Sequence, residues 1–385
     1  MIRSTVSQVN HFVLQKNNLA VQQASDFTEL VDRLVGLPAL PPATALLAAR
    51  ARVVKFAPED LRSPALATSL LMRSAPYSVP VHRFMVWFAA TARQRNQSLN
   101  AELRLWGIEQ NRDIEQLAEE VLAVIDDRPV SEAEVESRLP AGRVTRLSQV
   151  SRGGRETTTT NLALALRWLV SRGQVVMDNQ SADWRRPHPV FERMSGRYPN
   201  YNLAGLPSEA DAQKALVRAY LSAFGPASEA DISFWTGLGK SETARATGAL
   251  AGETTLTMVE GLPGMALLLK SQAEALEACK PPSQPVVSVL PADDPYLAAH
   301  RASRGRYGAD PALLRRIFGS SGTAKASILI DGQVAGLWEM PTEDEPPVVR
   351  WQLFTDVPPA VASLIAAEME RVAAFLHPQA TAVQA

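Results

Sequence analysis

One local pattern occurs twice in this sequence and limits the folds that are open to the chain. Its cleaner copy begins with AQKALVRAYLSAF, which predicts a helix, and after a Gly-Pro turn a short second helix starts at Ser228. Asp231, three residues later, is placed to complete a capping box with this serine. A third helix is predicted from Ser241, and TTLTMVEGLPGMALLL then alternates like two strands around a glycine turn.

The other copy lies earlier in the chain. Residues 113–125 predict an amphipathic helix, and Ser131 with Glu134 marks the start of a short helix. Residues 158–171 predict a third helix, ended by Gly173 and followed by a strand. Three helices and a β-wing in the same order, twice over, predict tandem winged helices rather than an unrelated helical core.

The two ends of the chain show other patterns. A helix is predicted from Val6 and a second over residues 26–34, before prolines break regular structure around residues 38–42. After a proline-rich linker at residues 280–285, VVSVL and ASILIDGQVAGLWEM predict strands, with a hairpin turn at Asp331 and Gly332, and PAVASLIAAEMERVAAFL predicts a final helix. The expected fold class is α+β, with domains at residues 1–107, 108–205, 206–279 and 286–385.

Composition narrows the setting of the protein. The chain has 385 residues and one cysteine, Cys279, which rules out an internal disulfide and a cysteine-rich zinc site. No apolar run approaches the roughly 20 residues that span a bilayer, and MIRSTVSQVNHF has no apolar signal-peptide core. We therefore expect a cytoplasmic protein without membrane contact.

Charge is unevenly distributed, although the net charge is only −1. Residues 138–197 contain eleven arginines against four acidic residues, whereas residues 102–136 contain eleven acidic residues against three arginines. Such polarity favours a positive face for phosphates and acidic faces that keep the protein in solution. The alternative is that these charges are only solvated surface groups.

The basic stretch and the second winged helix supply candidate DNA-binding residues. Hydroxyl and backbone N–H groups at a helix N-terminus suit phosphate oxygens, and arginine adds charge-assisted hydrogen bonds. The candidates are Arg152, Arg155, Thr157, Thr158, Thr159 and Asn161, then Arg185 and Arg186 beside Trp184, and Lys240, Thr243 and Arg245 on the other unit. Helix capping and solvation explain the same residue types without any function.

Enzyme-like patterns are few. The five histidines are scattered without metal-ligand spacing, and no GxGxxG, Walker or GxSxG motif occurs, so we expect no metal and no cofactor. Asp293 and Asp294 form a tight carboxylate pair, in LPADDPYL. Adjacent like charges can raise a pKa for general-base work, but a turn before Pro295 explains the pair equally well.

Several segments, in order along the chain, resemble the winged-helix family of AlkZ/YcaQ-like crosslink-repair DNA glycosylases. They are TTTTNLALALRWLVSRGQVV, YLSAFGPASEADISFWTGL, VSVLPADDPYLAAHR and ILIDGQVAGLWEM. The third resembles a family stretch that places Asp294 on the family aspartate. The resemblance implies a C-shaped protein whose basic channel holds duplex DNA, including alkylated or crosslinked DNA.

The resemblance also implies a chemistry. Family members hydrolyse N-glycosidic bonds with a water positioned by a Gln-x-Gln or Gln-x-Asp pair, which suffices for cationic alkylated bases that leave easily. Here the matching segment is Gly36-Leu37-Pro38-Ala39-Leu40, so the two polar positions fall on Pro38 and Leu40. Neither side chain can orient a water or accept a proton.

Three hypotheses follow. The first is a family member that binds duplex or alkylated DNA without base excision by the usual pair. The second is an active monofunctional glycosylase whose water is held elsewhere, with Asp293, Asp294, His11 or Gln8 as candidates. The third is an interaction module that kept the fold and no longer binds DNA.

Overall fold

The computed structural model describes residues 1–20, 24–150, 154, 156–179, 188–319, 322–339 and 347–385. Four predicted DNA contacts, Arg152, Arg155, Arg185 and Arg186, lie outside these described residues. The rest of the chain mixes helices and strands, and the α+β class is confirmed.

The first part of the chain surrounds a small sheet. Its elements are β1 (Ile2–Ser4), α1 (Val6–Lys16), α2 (Phe27–Arg33), β2 (Leu37–Pro38), α3 (Pro42–Arg50), β3 (Leu66–Leu70), β4 (Pro76–Pro80), α4 (Val81–Ala90) and α5 (Ala92–Leu105). Strands β2, β4 and β3 form an antiparallel sheet in that order. Asp26 caps α2 by accepting from the Glu29 N–H, as a capping residue should.

The middle part contains three helices and a sheet in the predicted order, with one addition. Its elements are α6 (Asn111–Val124), β5 (Val130–Ser131), α7 (Glu132–Arg138), β6 (Arg146–Val150), β7 (Glu156–Thr160), α8 (Asn161–Ser171), β8 (Val175–Asn179), β9 (Pro189–Arg193) and α9 (Met194–Arg197). Strands β5, β9 and β8 form one sheet, while β6 and β7 form a separate hairpin.

The hairpin corrects the prediction for the threonine run. Residues 157–160 do not begin a helix but form β7, paired with β6, and α8 starts at Asn161 with Thr160 as its N-cap. Threonine is β-branched and fits an extended strand well when a partner strand is present. That partner, residues 146–150, was not predicted from sequence.

The next part follows its predicted elements closely. These are α10 (Glu209–Phe224), α11 (Glu229–Thr236), α12 (Lys240–Ala249), β10 (Thr254–Val259), β11 (Ala266–Leu269) and α13 (Ala273–Ala278). The capping box is present, since Ser228 accepts from the Asp231 N–H and the Asp231 carboxylate accepts from the Ser228 N–H. Strand β1 pairs parallel with β10, so the N-terminus joins this sheet.

The C-terminal part is a five-stranded sheet covered by a long helix. Its elements are β12 (Val287–Leu290), α14 (Pro295–Ala298), α15 (Pro311–Ile317), β13 (Ser327–Ile330), β14 (Gln333–Glu339), β15 (Val348–Leu353), α16 (Pro359–Leu376) and β16 (Thr381–Gln384). The sheet order follows the chain from β12 to β16. Asp331 and Gly332 have φ values of 52° and 80°, which confirms the predicted hairpin turn.

The apolar core divides in a way that positions the site. The middle part packs around a second cluster, which includes Leu117, Val121 and Leu169 and also takes in Leu70 of β3 and Leu99 of α5. By contrast, Trp87 of α4 and Trp235 of α11 share one cluster, so the first part and residues 209–250 are packed as a unit. The loop before α3 therefore faces the boundary between this shared core and the middle part.

Candidate functional site

The motif loop, residues 36–40, is held in one backbone conformation. Gly36 has a φ of 136°, and a Cβ there would lie 2.8 Å from the Val79 side chain, so glycine is required. Leu37 pairs with Ser78 in the sheet, and the Ala39 N–H donates to the Pro76 carbonyl at 3.0 Å. Because β2 is an edge strand, proline at position 38 is tolerated.

Leu40 faces a cleft between the first and middle parts of the chain. Two adjoining pockets make up this cleft, and both are lined by Leu40, Met177 and Pro189. The larger has a volume of about 260 Å³. Most of the other lining side chains near the motif loop are apolar, namely Ala39, Pro42, Ala45, Leu46, Leu61, Leu70, Leu164 and Phe191. The part of the cleft around the motif loop is thus mainly apolar.

Two polar side chains meet on the floor of the cleft beside Leu40. The hydroxyl oxygens of Thr68 on β3 and Ser78 on β4 are 2.7 Å apart and hydrogen-bonded to each other. Both residues are buried. No local sequence pattern marks these two residues, because the pairing of β3 with β4 and the approach of β2 bring them together only in the folded chain.

Several charged groups on the cleft walls are matched by partners within the protein, whereas Glu59 and Arg62, which also line the cleft, are exposed. Arg167 Nε lies 2.5 Å from Glu102 Oε2, and Asp178 Oδ2 lies 3.4 Å from Arg197 Nη2. Glu132 accepts a hydrogen bond from the Thr160 hydroxyl at 3.1 Å. These groups are engaged with the fold, so their carboxylates are poorly placed to align a water over the motif loop.

Asp294, which the resemblance places on the family aspartate, takes part in a buried ion pair and caps a helix. Its carboxylate accepts two hydrogen bonds from Arg52, at 2.6 and 2.8 Å, and both side chains are completely buried. It also caps α14 through the Tyr296 N–H. Arg52 follows α3 and donates as well to the Asn17 carbonyl, so this pair fastens α3 to the C-terminal part.

The other candidate catalytic groups also point into the fold. Asp293, at a φ of 54°, accepts from the Ala324 N–H at 2.8 Å. His11 is buried and bonded to Gln15, and burial lowers the pKa of its imidazole. Gln8 donates to the Leu276 carbonyl. Neither they nor Asp294 line the cleft that contains Leu40.

The predicted DNA contacts of the middle part fall on the β6–β7 hairpin. Thr157 and Thr158 are exposed and Thr159 is half-buried in the cleft wall. Asn161 is occupied instead, since its amide accepts from the Thr145 N–H at 2.8 Å and donates to the Arg143 carbonyl at 3.0 Å. It therefore ties the hairpin to α8.

On α12 the predicted contacts separate. Lys240 and Arg245 are exposed, although Arg245 donates to Gln213 at 3.1 Å. The prediction that Thr243 contacts DNA has to be corrected, because only 1% of this residue is exposed and its side chain faces the core. The side of α12 that faces away from solvent is set by its packing on α10 and α11, which the helix pattern alone does not give.

Within the described residues, no group of three histidine, cysteine or acidic side chains is placed to hold a metal ion. The same part of the chain has no helix that is both long and apolar enough to cross a bilayer.

Comparisons with known proteins agree with the fold. The family model described as "DNA glycosylase AlkZ-like" matches residues 31–375. Among solved structures, Streptomyces sahachiroi DNA glycosylase AlkZ superposes with a TM-score of 0.76 at 19% sequence identity, with 100% of each chain covered. No curated protein matches the sequence. The family match spans most of the chain, and the chain therefore belongs to the AlkZ-like DNA glycosylase family.

Proposed function

We propose that this chain binds duplex DNA, alkylated DNA included, and does not excise bases by the water-positioning pair of its family. The observation that carries this proposal is the motif loop. Gly36 and the β2–β4 pairing hold the backbone of this loop in place. At the two positions where the resemblance implies water-positioning side chains, however, this chain has Pro38 and Leu40. The backbone of the motif loop is thus in place, but the polar side chains of the family pair are missing from it.

The missing groups have a calculable effect. A positioned general base contributes roughly 10²–10⁴-fold to a rate. Among the described cleft residues, the carboxylates of Glu102 and Asp178 are paired with arginines, and no amide replaces the missing glutamines. A water at Leu40 would therefore lack the amide pair that orients it in the family, and in the described part of the chain its pocket keeps only the hydroxyls of Thr68 and Ser78 and the carboxylates of Glu59 and Asp178.

Support for DNA binding comes from the two sets of three helices and a hairpin. In this proposal residues 108–205 and 206–279 are winged helices that border a channel, with the exposed β6–β7 hairpin and Lys240 turned toward DNA. Four arginines between positions 138 and 197, namely Arg138, Arg143, Arg167 and Arg197, are paired with carboxylates, so the positive charge in this proposal comes from other arginines of the stretch, such as the exposed Arg146 on β6.

Duplex binding is tested by fluorescence anisotropy with a labelled methylated duplex over rising salt. Because phosphate contacts release counterions, we expect log K to fall linearly with log salt, by about 0.9 per contact. An unmethylated duplex of the same sequence is the control for lesion preference. Absence of binding at low salt, or binding that does not change with salt, contradicts the proposal and favours an interaction module.

A second candidate function, a glycosylase that holds its water differently, is favoured by one observation. The hydroxyls of Thr68 and Ser78 meet on the floor of the cleft beside Leu40. If they position a water, the protein will release 7-methylguanine, and Thr68→Val with Ser78→Ala will abolish release while binding persists. Release that is absent from the unchanged protein excludes this function.

A further inference from the structure

Two arginines from distant parts of the chain contact one aromatic ring, and a third arginine lies near one of them. The guanidinium carbons of Arg73 and Arg301 lie 5.2 and 5.0 Å from the centroid of the Phe234 ring. Arg304 lies over Phe318 at 3.7 Å and donates to the Gly322 carbonyl. We call Arg73, Arg301, Arg304 and Phe234 the Phe234 cluster.

The cluster is held together by fixed backbone. Gly322 brings two of its members together, since a Cβ there would lie 3.4 Å from Arg304 Nη2 and 3.9 Å from the Arg301 guanidinium carbon. The N–H of Arg301 donates to the buried Asp231 carboxylate at 2.8 Å, the same carboxylate that caps α11. The arginines therefore project from an ordered frame.

Positive charge in the cluster is not neutralised as it is elsewhere. In the described part of the chain none of the three arginines lies within 4.0 Å of a carboxylate, whereas Arg143 and Arg218 each pair with a glutamate at 2.6 Å. The nearby acids are engaged, because Asp231 accepts from backbone N–H groups and Asp293 accepts from Ala324.

Two donors in the cluster are also unused. The Nε atoms of Arg73 and Arg304 are buried and have no hydrogen-bond partner among the described residues. Burial and the charge of Arg301 lower the pKa of Arg304, which reports the same crowding of positive charge. A buried donor without a partner and a group of like charges both lower their energy when an anion binds.

The cluster continues the edge of the cleft. Arg73 lies in the turn between β3 and β4, and the next carbonyl, of Ser74, accepts from Arg167 of the cleft wall at 3.4 Å. Two residues further, the Pro76 carbonyl holds the motif loop through Ala39. A strand of DNA that enters the cleft would carry its phosphates past this turn.

We propose that the Phe234 cluster binds a DNA phosphodiester beside the cleft. The inference rests on the proposed function, because it assumes that duplex DNA occupies the cleft. Guanidinium groups fit phosphate oxygens in a bidentate geometry, and the π-system of Phe234 contacts two of them while no anion is present.

The test is the salt dependence of duplex binding by Arg73→Ala with Arg301→Ala. Removing one phosphate contact lowers the slope of log K against log salt by about 0.9, so the slope of the double variant is expected to be smaller by about 2. Arg33→Ala with Arg128→Ala is the matched control, since it removes the same charge from exposed arginines already paired with glutamates. We expect this control to keep the wild-type slope.

Folding is checked by thermal unfolding of each variant. Should the double variant unfold, Arg301→Ala alone replaces it, because Arg301 is exposed and its side chain contacts the Phe234 ring, and a slope reduced by about 1 is then expected. A slope equal to that of the control overturns the inference. If the unchanged protein fails to bind duplex DNA at low salt, both the proposed function and this inference are contradicted.

Discussion

Two segments that adjoin α3 differ in what their side chains do. The motif loop, residues 36–40, leads into α3 and presents Pro38 and Leu40 where its family has water-positioning groups. The turn at residues 292–294 is bonded to α3, through Thr44 and through the ion pair of Arg52 with Asp294. The turn keeps a polar group that holds the fold, whereas the loop has apolar side chains at the two positions where the resemblance implies a polar pair.

The two segments differ because substitutions in them have different costs in folding free energy. Removing one partner of a buried ion pair leaves a charge in the protein interior and costs several kcal/mol. Replacing a half-exposed polar side chain in a cleft by an apolar one changes stability little. A scaffold can therefore survive without its catalytic groups, but not without its buried charge partners.

The largest effect is expected at the turn. Asp294→Ala leaves the Arg52 guanidinium buried and without its carboxylate, and should lower the free energy of unfolding by about 3–5 kcal/mol. Urea unfolding followed by circular dichroism measures it. Glu29→Ala, which breaks the exposed pair with Arg33, is the control and should cost less than about 1 kcal/mol. Equal losses of unfolding free energy in the two variants would contradict the structural role given to Asp294.

In the motif loop we expect the opposite pattern, a large change in activity with little change in stability. Pro38→Gln with Leu40→Gln restores the family side chains in a loop whose backbone is kept, and we expect release of 7-methylguanine to rise on the order of 10²-fold above the unchanged protein. The free energy of unfolding should change by about 1 kcal/mol or less, because both positions are only half-buried. A folded double variant with no gain in release would show that the cleft lacks more than the glutamine pair.

The scaffold also has a pH signature. Burial, and next the charge of Arg306, lower the pKa of His300 to about 3 from its ordinary 6.5. Between these two values the unfolded chain takes up a proton that the folded chain does not, so stability falls as pH decreases below 6.5, by up to about 1.4 kcal/mol per unit. Urea unfolding at pH 7, 6 and 5 should therefore show a shallower decline for His300→Gln. Parallel profiles for the two proteins would exclude His300 as the cause.

The smallest effects are expected on α12, where an exposed and a buried residue can be compared. Lys240→Ala should reduce the salt slope of duplex binding by about 1, whereas Thr243→Val should leave it unchanged because Thr243 is buried. Anisotropy titrations of both variants measure this. A reduced slope in Thr243→Val, with a normal melting temperature, would contradict the assignment of this face to the core.

Local signals allowed much of the fold to be predicted. The Ser228 and Asp231 capping box and the Asp331-Gly332 turn involve neighbouring residues, and both occur as expected. Long-range pairing was not accessible in this way. Asp294 meets an arginine 242 residues away, and its role as an anchor for α3 is visible only after the chain has folded.

The site was predicted less completely than the fold, for the same physical reason. The motif loop was identified by its resemblance, but the hydroxyl pair of Thr68 and Ser78 depends on strand register. The burial of Thr243 depends on helix packing, and the Phe234 cluster on three segments meeting at one ring. Sequence periodicity indicates which residues share a face of an element, and tertiary packing decides which face remains exposed.

Base release from a fully bound duplex tests the central claim most directly. A methylated duplex is incubated with an excess of the protein, binding is confirmed by anisotropy, and free 7-methylguanine is measured over time against the same duplex without protein. We expect a saturated complex whose base release matches that of the protein-free duplex. Release that exceeds this background and scales with the bound fraction would contradict it.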